Sequence, residues 1–532
     1  MTATQSFQQL AAPLARAAAD PIVAPVVDLR AVLPLLIVLG GAVVGVLVEA
    51  VVGRRNRYGA QVLVTLVSIV GAGVFTVIGG TQHHYALTFS GAIAVDSGTY
   101  VMWGVLLVLA LVSVLLIADR VSEPGGAFVA QAAIRVGSVK DREATALATP
   151  MQTEVFPLTL FAVSGMLVFP AASDMLTLFI ALEVLSLPLY LLCGLARRRR
   201  LISQEAAVKY FLLGAFTSAI LLYGIALLYG YAGSLTFAGI RAAAAAGTGS
   251  DILLLLGIAL LLVGLLFKAS VGPFHLWTPD VYQGAPTPIT AFMAAGTKLA
   301  AFAAMLRVMW SALEPMVTTW RPVLWVVAIA SMVIGAVLGI TQNDIKRMLA
   351  YSSVAHAGFL ILGVMALTQR GASGMMFYLL TYGLATIGAL AILTLVRKGD
   401  GEANQVSDWA GLAKRSPALA AAMSLFLLSF AGIPLTSGFI GKLSVFTAAS
   451  QQGMGPLVVV AMVATAITAF FYLRIVVLMY FSEPQTGEGA AHVVVPGVPT
   501  TVVLVVCALA TVVLGIVPSW GLDLMTVGQL IY

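Results

Sequence analysis

Apolar residues fill this chain in long runs, and polar residues gather in short stretches between them. A bilayer core takes about 20 apolar helical residues per crossing. On that rule the runs predict about fourteen spans: 30–52, 59–80, 98–118, 154–171, 174–195, 206–231, 252–285, 288–309, 322–341, 346–366, 372–396, 417–448, 457–481 and 498–517. The seventh and twelfth are broken in mid-course. In the seventh, FKASVGPF carries Lys268 just before Gly272 and Pro273. In the twelfth, AGIPLTSGFIGK sets Gly432, Pro434, Gly438 and Gly441 around Lys442. Proline removes a backbone donor and glycine loosens the chain, so both sites read as helix interruptions.

The two breaks occupy matched places in a weak internal echo. Tyr210–Leu228 is similar to Tyr378–Leu395, five spans later. A unit of five helices is odd, so a second copy enters the membrane from the opposite side. Inverted repeats with interrupted helices near the midplane are a transporter architecture. The expected fold class is therefore all-α, a polytopic membrane protein of about fourteen helices with two inverted five-helix repeats, each holding a broken helix. The expected division is an N-terminal outer segment at 1–29, three helices and an inner loop at 30–153, one repeat at 154–309, the inverted repeat at 322–481, and an inner loop with the last helix at 482–532.

Composition agrees with the pattern. Hydrophobic residues make up 60% of the 532 and charged residues only 9%, against roughly 25% charged in soluble domains. A transmembrane barrel would show short alternating segments, which excludes it. The net charge of +6 does not point to nucleic acid, because the basic residues fall in alternate loops. One side collects Arg54, Arg55 and Arg57; Arg120, Arg135, Lys140 and Arg142; Arg197–Arg200; Lys346 and Arg347; and Arg397, Lys398, Lys414 and Arg415. The other side has only scattered cations such as Arg16, Arg241 and Arg370. The positive-inside rule makes the basic side inner and places both termini outside. Cys193 and Cys507 lie in apolar runs, with no CxxC or Cys/His cluster of the zinc, haem or iron–sulfur kind. Residues 1–29 lack a basic stretch followed by an apolar core, so no cleaved signal is expected.

The informative residues are the charges inside the spans. At about 1.5 Å per residue, Glu183 lies about 13 Å past Asp174, Lys298 about 15 Å past Pro288, and His356 about 15 Å past Lys346. All three fall near the middle of a core about 30 Å thick. Lys268 and Lys442 adjoin the breaks, where unpaired carbonyls and water can solvate an ammonium. A charge at a helix centre costs about 2.5–3.5 kcal/mol on insertion scales, so these groups need partners or hydration. Buried salt bridges that lock the packing are the bland reading. The number of sites and their place beside helix breaks favour a proton or ion path. Lysine suits that task, because desolvation draws its pKa toward neutrality and a nearby carboxylate raises it again.

Other charges carry less. Lys209 has two open readings, relay member or snorkelling surface charge. His275, just past Pro273, has an ordinary pKa of about 6.5 that suits a relay. Arg474 reads as snorkelling, Glu49 as an interfacial pair, His83 and His84 as solvated, and Asp280 as a structural turn residue.

PFHLWTPDVYQGAPTPITAFMA at Pro273–Ala294 resembles the seventh-to-eighth-span signature of subunit N of the proton-pumping NADH:quinone oxidoreductase, respiratory complex I. LEVLSLPLYLL around Glu183, KYFLLGAFTSAILLYG from Lys209, NDIKRMLAYSSVAHAGF at Asn343–Phe359 and GIPLTSGFIGK at Gly432–Lys442 extend the resemblance over roughly 150–450. Subunits L and M and the multisubunit cation/proton antiporters are less similar, because they lack the VYxGAPT form. The resemblance implies two half-channels meeting at the midplane. Glu183 is then the fifth-helix carboxylate, Lys268 the seventh-helix lysine, Lys298 the eighth-helix connecting lysine, and Lys442 the twelfth-helix lysine. His356 matches a position on the tenth helix.

It also implies proton translocation with no redox centre in this chain, flavin, iron–sulfur clusters and quinone being expected in partner subunits. Those partners are the other membrane subunits and the peripheral NADH-oxidising arm, in a bacterial plasma membrane. Two rivals stand beside it: a subunit of a sodium/proton antiporter, served by the same charged axis, and a membrane spacer with inert charges.

Overall fold

The computed structural model describes residues 27–121, 126–128 and 152–530, apart from 198, 248, 400, 485, 486, 488, 489 and 529. Most of the expected outer segment 1–29 and of the inner loop 119–153 lies outside the described residues, with Arg16, Arg135, Lys140, Arg142 and Arg198.

Helices form where the apolar runs predict them. They are α1 (Leu33–Val51), α2 (Arg54–Thr81), α3 (Ser97–Ile117), α4 (Val155–Ala171), α5 (Met175–Cys193) and α6 (Arg200–Ala232). Next come α7 (Phe237–Ala246), α8 (Asp251–Lys268), α9 (Trp277–Gly284) and α10 (Thr287–Ser311). The remainder are α11 (Val317–Ile340), α12 (Ile345–Ala366), α13 (Gln369–Leu395), α14 (Pro417–Ala431), α15 (Ser437–Gln451), α16 (Gly455–Phe481), α17 (Val498–Ile516) and α18 (Pro518–Leu524).

Among the described residues, 12 helices are long and apolar enough to cross a membrane. The expectation was about fourteen spans. The difference lies in α4, which has 17 residues, and in the expected twelfth span, which is two helices of 15 residues each. Both expected breaks are present. α8 stops at Lys268, an irregular stretch containing a cis Gly272–Pro273 bond follows, and α9 resumes at Trp277. α14 ends on Gly432, whose φ of +79° suits glycine at a helix C-terminus.

The sequence reading missed three features. α7 lies in a stretch read as loop, capped by Thr236 at its start and closed by left-handed Gly247. Two small sheets break the all-α pattern: a hairpin of β1 (Ala86–Thr88) and β2 (Ile93–Val95), and β3 (Val396–Lys398) between β4 (Gly401–Glu402) and β5 (His492–Val493). Inside α10, Met293–Thr297 form a π-turn immediately before Lys298.

Burial sorts the helices into shells. The membrane windows of α10 and α13 are 100% buried and that of α12 is 94% buried, whereas those of α1, α2 and α16 are 33% buried or less. Lipid is as apolar as leucine, so close packing rather than water exclusion drives helices together. Two glycines mark that closeness. A Cβ on Gly165 would come within 2.4 Å of the Leu185 backbone nitrogen, joining α4 to α5, and one on Gly335 within 2.4 Å of the Ala355 nitrogen, joining α11 to α12. The three most buried helices carry Lys298, His356 and the tyrosines around them.

Candidate functional site

Lys268 ends α8 and is 4% exposed. Its ammonium donates to Ser186 Oγ at 2.8 Å and to Tyr210 OH at 3.0 Å. Ser186 Oγ in turn donates to the Leu182 carbonyl. No ion pair within 4.0 Å joins Lys268 to Glu183, and Glu183 Oε1 is buried with no hydrogen-bond partner. Ser186, one turn after Glu183 on α5, occupies the position nearest the ammonium.

Lys298 follows the π-turn of α10 and is 2% exposed. Its nitrogen lies 2.5 Å from both the carbonyl and the hydroxyl oxygen of Ser353 on α12, and 5.5 Å from the ring centroid of Tyr382 on α13. π-Turns insert one extra residue and recur at functional sites; here the turn precedes the lysine directly. Small residues Ala294, Ala295 and Gly296 let it pack against α13.

His356 is 1% exposed. Its Nδ1 is 2.7 Å from Tyr378 OH and its Nε2 3.3 Å from Tyr472 OH. Tyr472 OH also meets Ser352 Oγ. The Tyr382 ring lies against the imidazole at 4.5 Å. Two polar groups thus start from consecutive residues of α12: Lys298 with Ser353, and Ser352 with Tyr472, His356 and Tyr378.

Lys442 on α15 is 3% exposed and donates to the Phe430 carbonyl at 2.8 Å and the Ala431 carbonyl at 3.4 Å, where α14 ends. A helix C-terminus leaves carbonyls without partners, so this break solvates its lysine as the sequence predicts. The break at Lys268 does not: hydroxyls of Ser186 and Tyr210 serve instead. Lys442 also lies 5.0 Å from the ring of Phe359, one turn beyond His356.

Between Lys268 and Lys298 stands a row of rings. Tyr210 stacks on Trp277 with centroids 4.6 Å apart at 14°. Trp277 donates to the Phe267 carbonyl at 2.9 Å and meets Tyr282 edge-on at 6.3 Å. Trp277 and Tyr282 belong to α9, so the family-like PFHLWTPDVYQGAPT segment forms the wall between the two lysines.

The remaining expected residues stand apart. His275 is 4% exposed, but its Nδ1 has no hydrogen-bond partner and its nearest ring is Tyr351 at 6.0 Å. Lys209 is 42% exposed and pairs with Glu205 and Asp280, each at 2.7 Å; Arg347 pairs with the other Asp280 oxygen at 2.6 Å. Asp280 therefore ties α9 to α6 and α12, the structural role expected of it. Arg474 is exposed, as expected of a snorkelling residue.

One surface reading is corrected and two are sharpened. His84 is not merely solvated but lies 2.9 Å from Asp28 Oδ2. Glu49 forms the expected charge pair, with Arg57 at 3.2 Å, and accepts from Gln61 at 2.7 Å, both on α2. Lys346, counted as an inner-face charge, is 3% exposed and pairs with Glu402 at 3.3 Å. A loop ahead of its helix conceals it.

Sequence reasoning missed one buried pair altogether. Arg307 donates to both oxygens of Asp96 at 2.9 and 3.0 Å, to Thr99 Oγ1 at 2.7 Å and to the Pro170 carbonyl. Both charged side chains are 1% exposed. Arg307 sits near the end of α10, where a helix-end arginine resembles an interfacial anchor. Its partner is 211 residues away, and no local signal connects them.

Known proteins carry the same fold. The family described as NADH:quinone oxidoreductase/Mrp antiporter, TM, matches residues 172–468. The chain is 58% identical to NADH-quinone oxidoreductase subunit N of Saccharopolyspora erythraea, over 95% of this chain and 98% of that one. A chain in the structure of respiratory complex I from Thermus thermophilus with bound aureothin is 32% identical and superposes with a TM-score of 0.74, covering 93% of this chain and 100% of that chain. A chain in the Mrp complex from a Dietzia species reaches a TM-score of 0.77 at 22% identity, covering 94% and 96%. At that identity the likeness speaks for the fold alone.

Proposed function

The chain belongs to the NADH:quinone oxidoreductase/Mrp antiporter family, within its subunit N branch, and on that premise we propose that it moves protons through a relay of Glu183, Lys268, Lys298, His356 and Lys442. The observation that carries this reading is the pair of buried polar groups on consecutive residues of α12, Lys298 with Ser353 and Ser352 with Tyr472 and His356, built of groups that can each give and take a proton or a hydrogen bond. A chain meant only to pack would not place three lysines near the membrane centre against hydroxyls and carbonyls.

In this reading Glu183 biases the charge on Lys268 through space. A proton on Lys268 reaches the region of Lys298 along the hydroxyls that flank Tyr282, then passes by Ser353 and Tyr472 to His356. Lys442, beside the second break, hands it to the far side. Lys209 clamps the Asp280 break helix rather than carrying protons, and His275 borders the path. The chain holds no redox centre; flavin, iron–sulfur clusters and quinone belong to partner subunits, including a peripheral NADH-oxidising arm. The architecture has about fourteen crossings in two inverted five-helix repeats. It lies in a bacterial plasma membrane with both termini outward.

Lys298→Ala and Glu183→Gln in an assembled NADH:quinone oxidoreductase test the relay. Loss of NADH-driven proton pumping with normal assembly is expected, and parental pumping in both would sink it. The antiporter reading has one observation in its favour, the family model, which spans NADH:quinone oxidoreductase and Mrp antiporter chains alike. Purification of the tagged chain separates the two: flavin and iron–sulfur subunits co-isolate with a complex I subunit and not with an antiporter.

A further inference from the structure

At the basic end of the bundle a cavity of about 40 Å³ with a mixed polar and apolar lining lies under the loop that follows α13. Gln283, Thr287, Lys346, Arg397, Glu402 and Asn404 are among its lining residues. The loop is held down by backbone pairing: Ile345 N donates to the Asn404 carbonyl and Val406 N to the Asn343 carbonyl, each at 2.8 Å. This fixes Glu402 between two helix starts. Its Oε1 accepts from Thr287 Oγ1, at the start of α10, at 2.5 Å. Its Oε2 lies 3.3 Å from Lys346 Nζ, at the start of α12. Helix N-termini favour a negative charge, so a carboxylate here is well placed.

Two further observations point to water. Asn404 is 6% exposed, yet its Oδ1 has no partner. A buried polar group without a partner is costly, and about 10–15 Å³ suffices for one water. The cavity is large enough for more than one. It also leads the right way. Lys346 and Ser353 lie seven residues apart on one face of α12, about 10 Å, and Ser353 holds Lys298. Tyr282, one residue before the lining residue Gln283, is 2% exposed and its hydroxyl is within hydrogen-bonding reach of the Ser353 side chain.

We propose that this cavity is the inner water inlet of the path to Lys298, and that Glu402 is its proton-collecting carboxylate, positioned by Lys346 and Thr287. The proposal rests on the relay reading above. A hydronium of the inner phase gives its proton to the Glu402 carboxylate and leaves as water. The proton then passes over cavity water and the Tyr282 and Ser353 hydroxyls to a neutral Lys298 amine, and Glu402 returns to its carboxylate. The charged groups facing Glu402 are Lys346 from α12, Arg397 from β3 and Arg199 from the turn before α6; Asp344 is turned to Gln283 at 3.0 Å.

The test uses the assembled complex in sealed vesicles, with NADH-driven pumping as the readout and complex content read on native gels. Glu402→Gln keeps the shape of the side chain and one of its two oxygens but cannot take a proton; pumping should fall at least two-fold and be restored by Glu402→Asp. Asn404→Leu, which fills the cavity without altering the carboxylate, should lower pumping by a similar factor. Parental pumping in Glu402→Gln, or in Asn404→Leu should Glu402→Gln not assemble, overturns the inlet. Lys298→Ala keeps the two readings distinct. If Lys298→Ala abolishes pumping while Glu402→Gln does not, the inlet falls and the relay stands. If Lys298→Ala pumps normally, the relay falls and takes the inlet with it.

Discussion

Lys298 Nζ is 2.5 Å from two oxygens of the same residue, the carbonyl and the hydroxyl of Ser353, three positions before His356 on α12. The two oxygens differ in kind: the carbonyl, with two lone pairs, can only accept, whereas the hydroxyl can both accept and give a proton.

Ser353→Ala separates these roles. The carbonyl remains, so Lys298 keeps an acceptor, while a hydrogen bond to a charged group worth about 1.5–3 kcal/mol is lost. Pumping is expected to fall about ten-fold with assembly unchanged, as measured by acidification in vesicles. Parental rates would show that the hydroxyl carries no proton.

Glu183 and Ser186 act on Lys268 differently. Ser186→Ala removes a contact at 2.8 Å, whereas Glu183→Gln removes a charge whose buried Oε1 has no hydrogen-bond partner. Raising ionic strength should leave both effects unchanged, because buried and partly buried charges are weakly screened. The measurement is pumping at two salt concentrations; a strongly salt-dependent Glu183→Gln effect would place that carboxylate in contact with bulk water.

The Asp280 clamp predicts non-additivity. Lys209→Gln and Asp280→Asn each remove the same 2.7 Å contact, so the double variant should lose little more than Asp280→Asn alone, which also loses Arg347. Thermal unfolding of the three variants gives the coupling. Additive losses would restore the relay reading of Lys209.

Breaking the Arg307–Asp96 pair leaves an uncompensated buried charge, which costs about 3–5 kcal/mol. Asp96→Ala should deplete the assembled complex on native gels, and Arg307→Met in the same chain should recover part of it. A normal complex content in Asp96→Ala would mean that water reaches the site.

Asp28, ahead of α1, gives a pH prediction outside the membrane. The Ala31 backbone N–H above all, with His84, holds its carboxyl below the usual carboxylate value. A depressed carboxylate stabilises the fold above its ordinary pKa of about 3.9 and loses that contribution as pH falls through the folded value. Thr88 of β1 takes the Asp28 backbone N–H at 2.9 Å, so the protection of the hairpin amides, measured against their intrinsic exchange rates at each pH, should fall as pH drops below about 4. Asp28→Asn should abolish that dependence.

The membrane fold was legible because each run of apolar residues reports its own burial. Gly272–Pro273 and Gly432–Pro434 announced the breaks for the same local reason. The lysines were legible as charges where charge is expensive. Their partners were not. Ser186, Tyr210, Ser353, Tyr378 and Tyr472 are ordinary residues in apolar runs, and only the packing of α5, α6, α12, α13 and α16 makes them ligands. The π-turn was hidden for a similar reason, since MAAGT reads as plain helix. α7 did carry signals, a Thr236 cap, an alanine run and Gly247, but ten residues are too few to register as a span.

The Arg307–Asp96 pair also sets an order in time. Asp96 leaves the ribosome 211 residues before Arg307, and synthesis at about 5–20 residues per second puts roughly 10–40 s between them. During that interval the start of α3 holds an acid with no base to meet it. The end of the bundle where α3, α4 and α10 converge closes only after α10 is made, so the first three helices wait in the membrane for a latch that the chain supplies late.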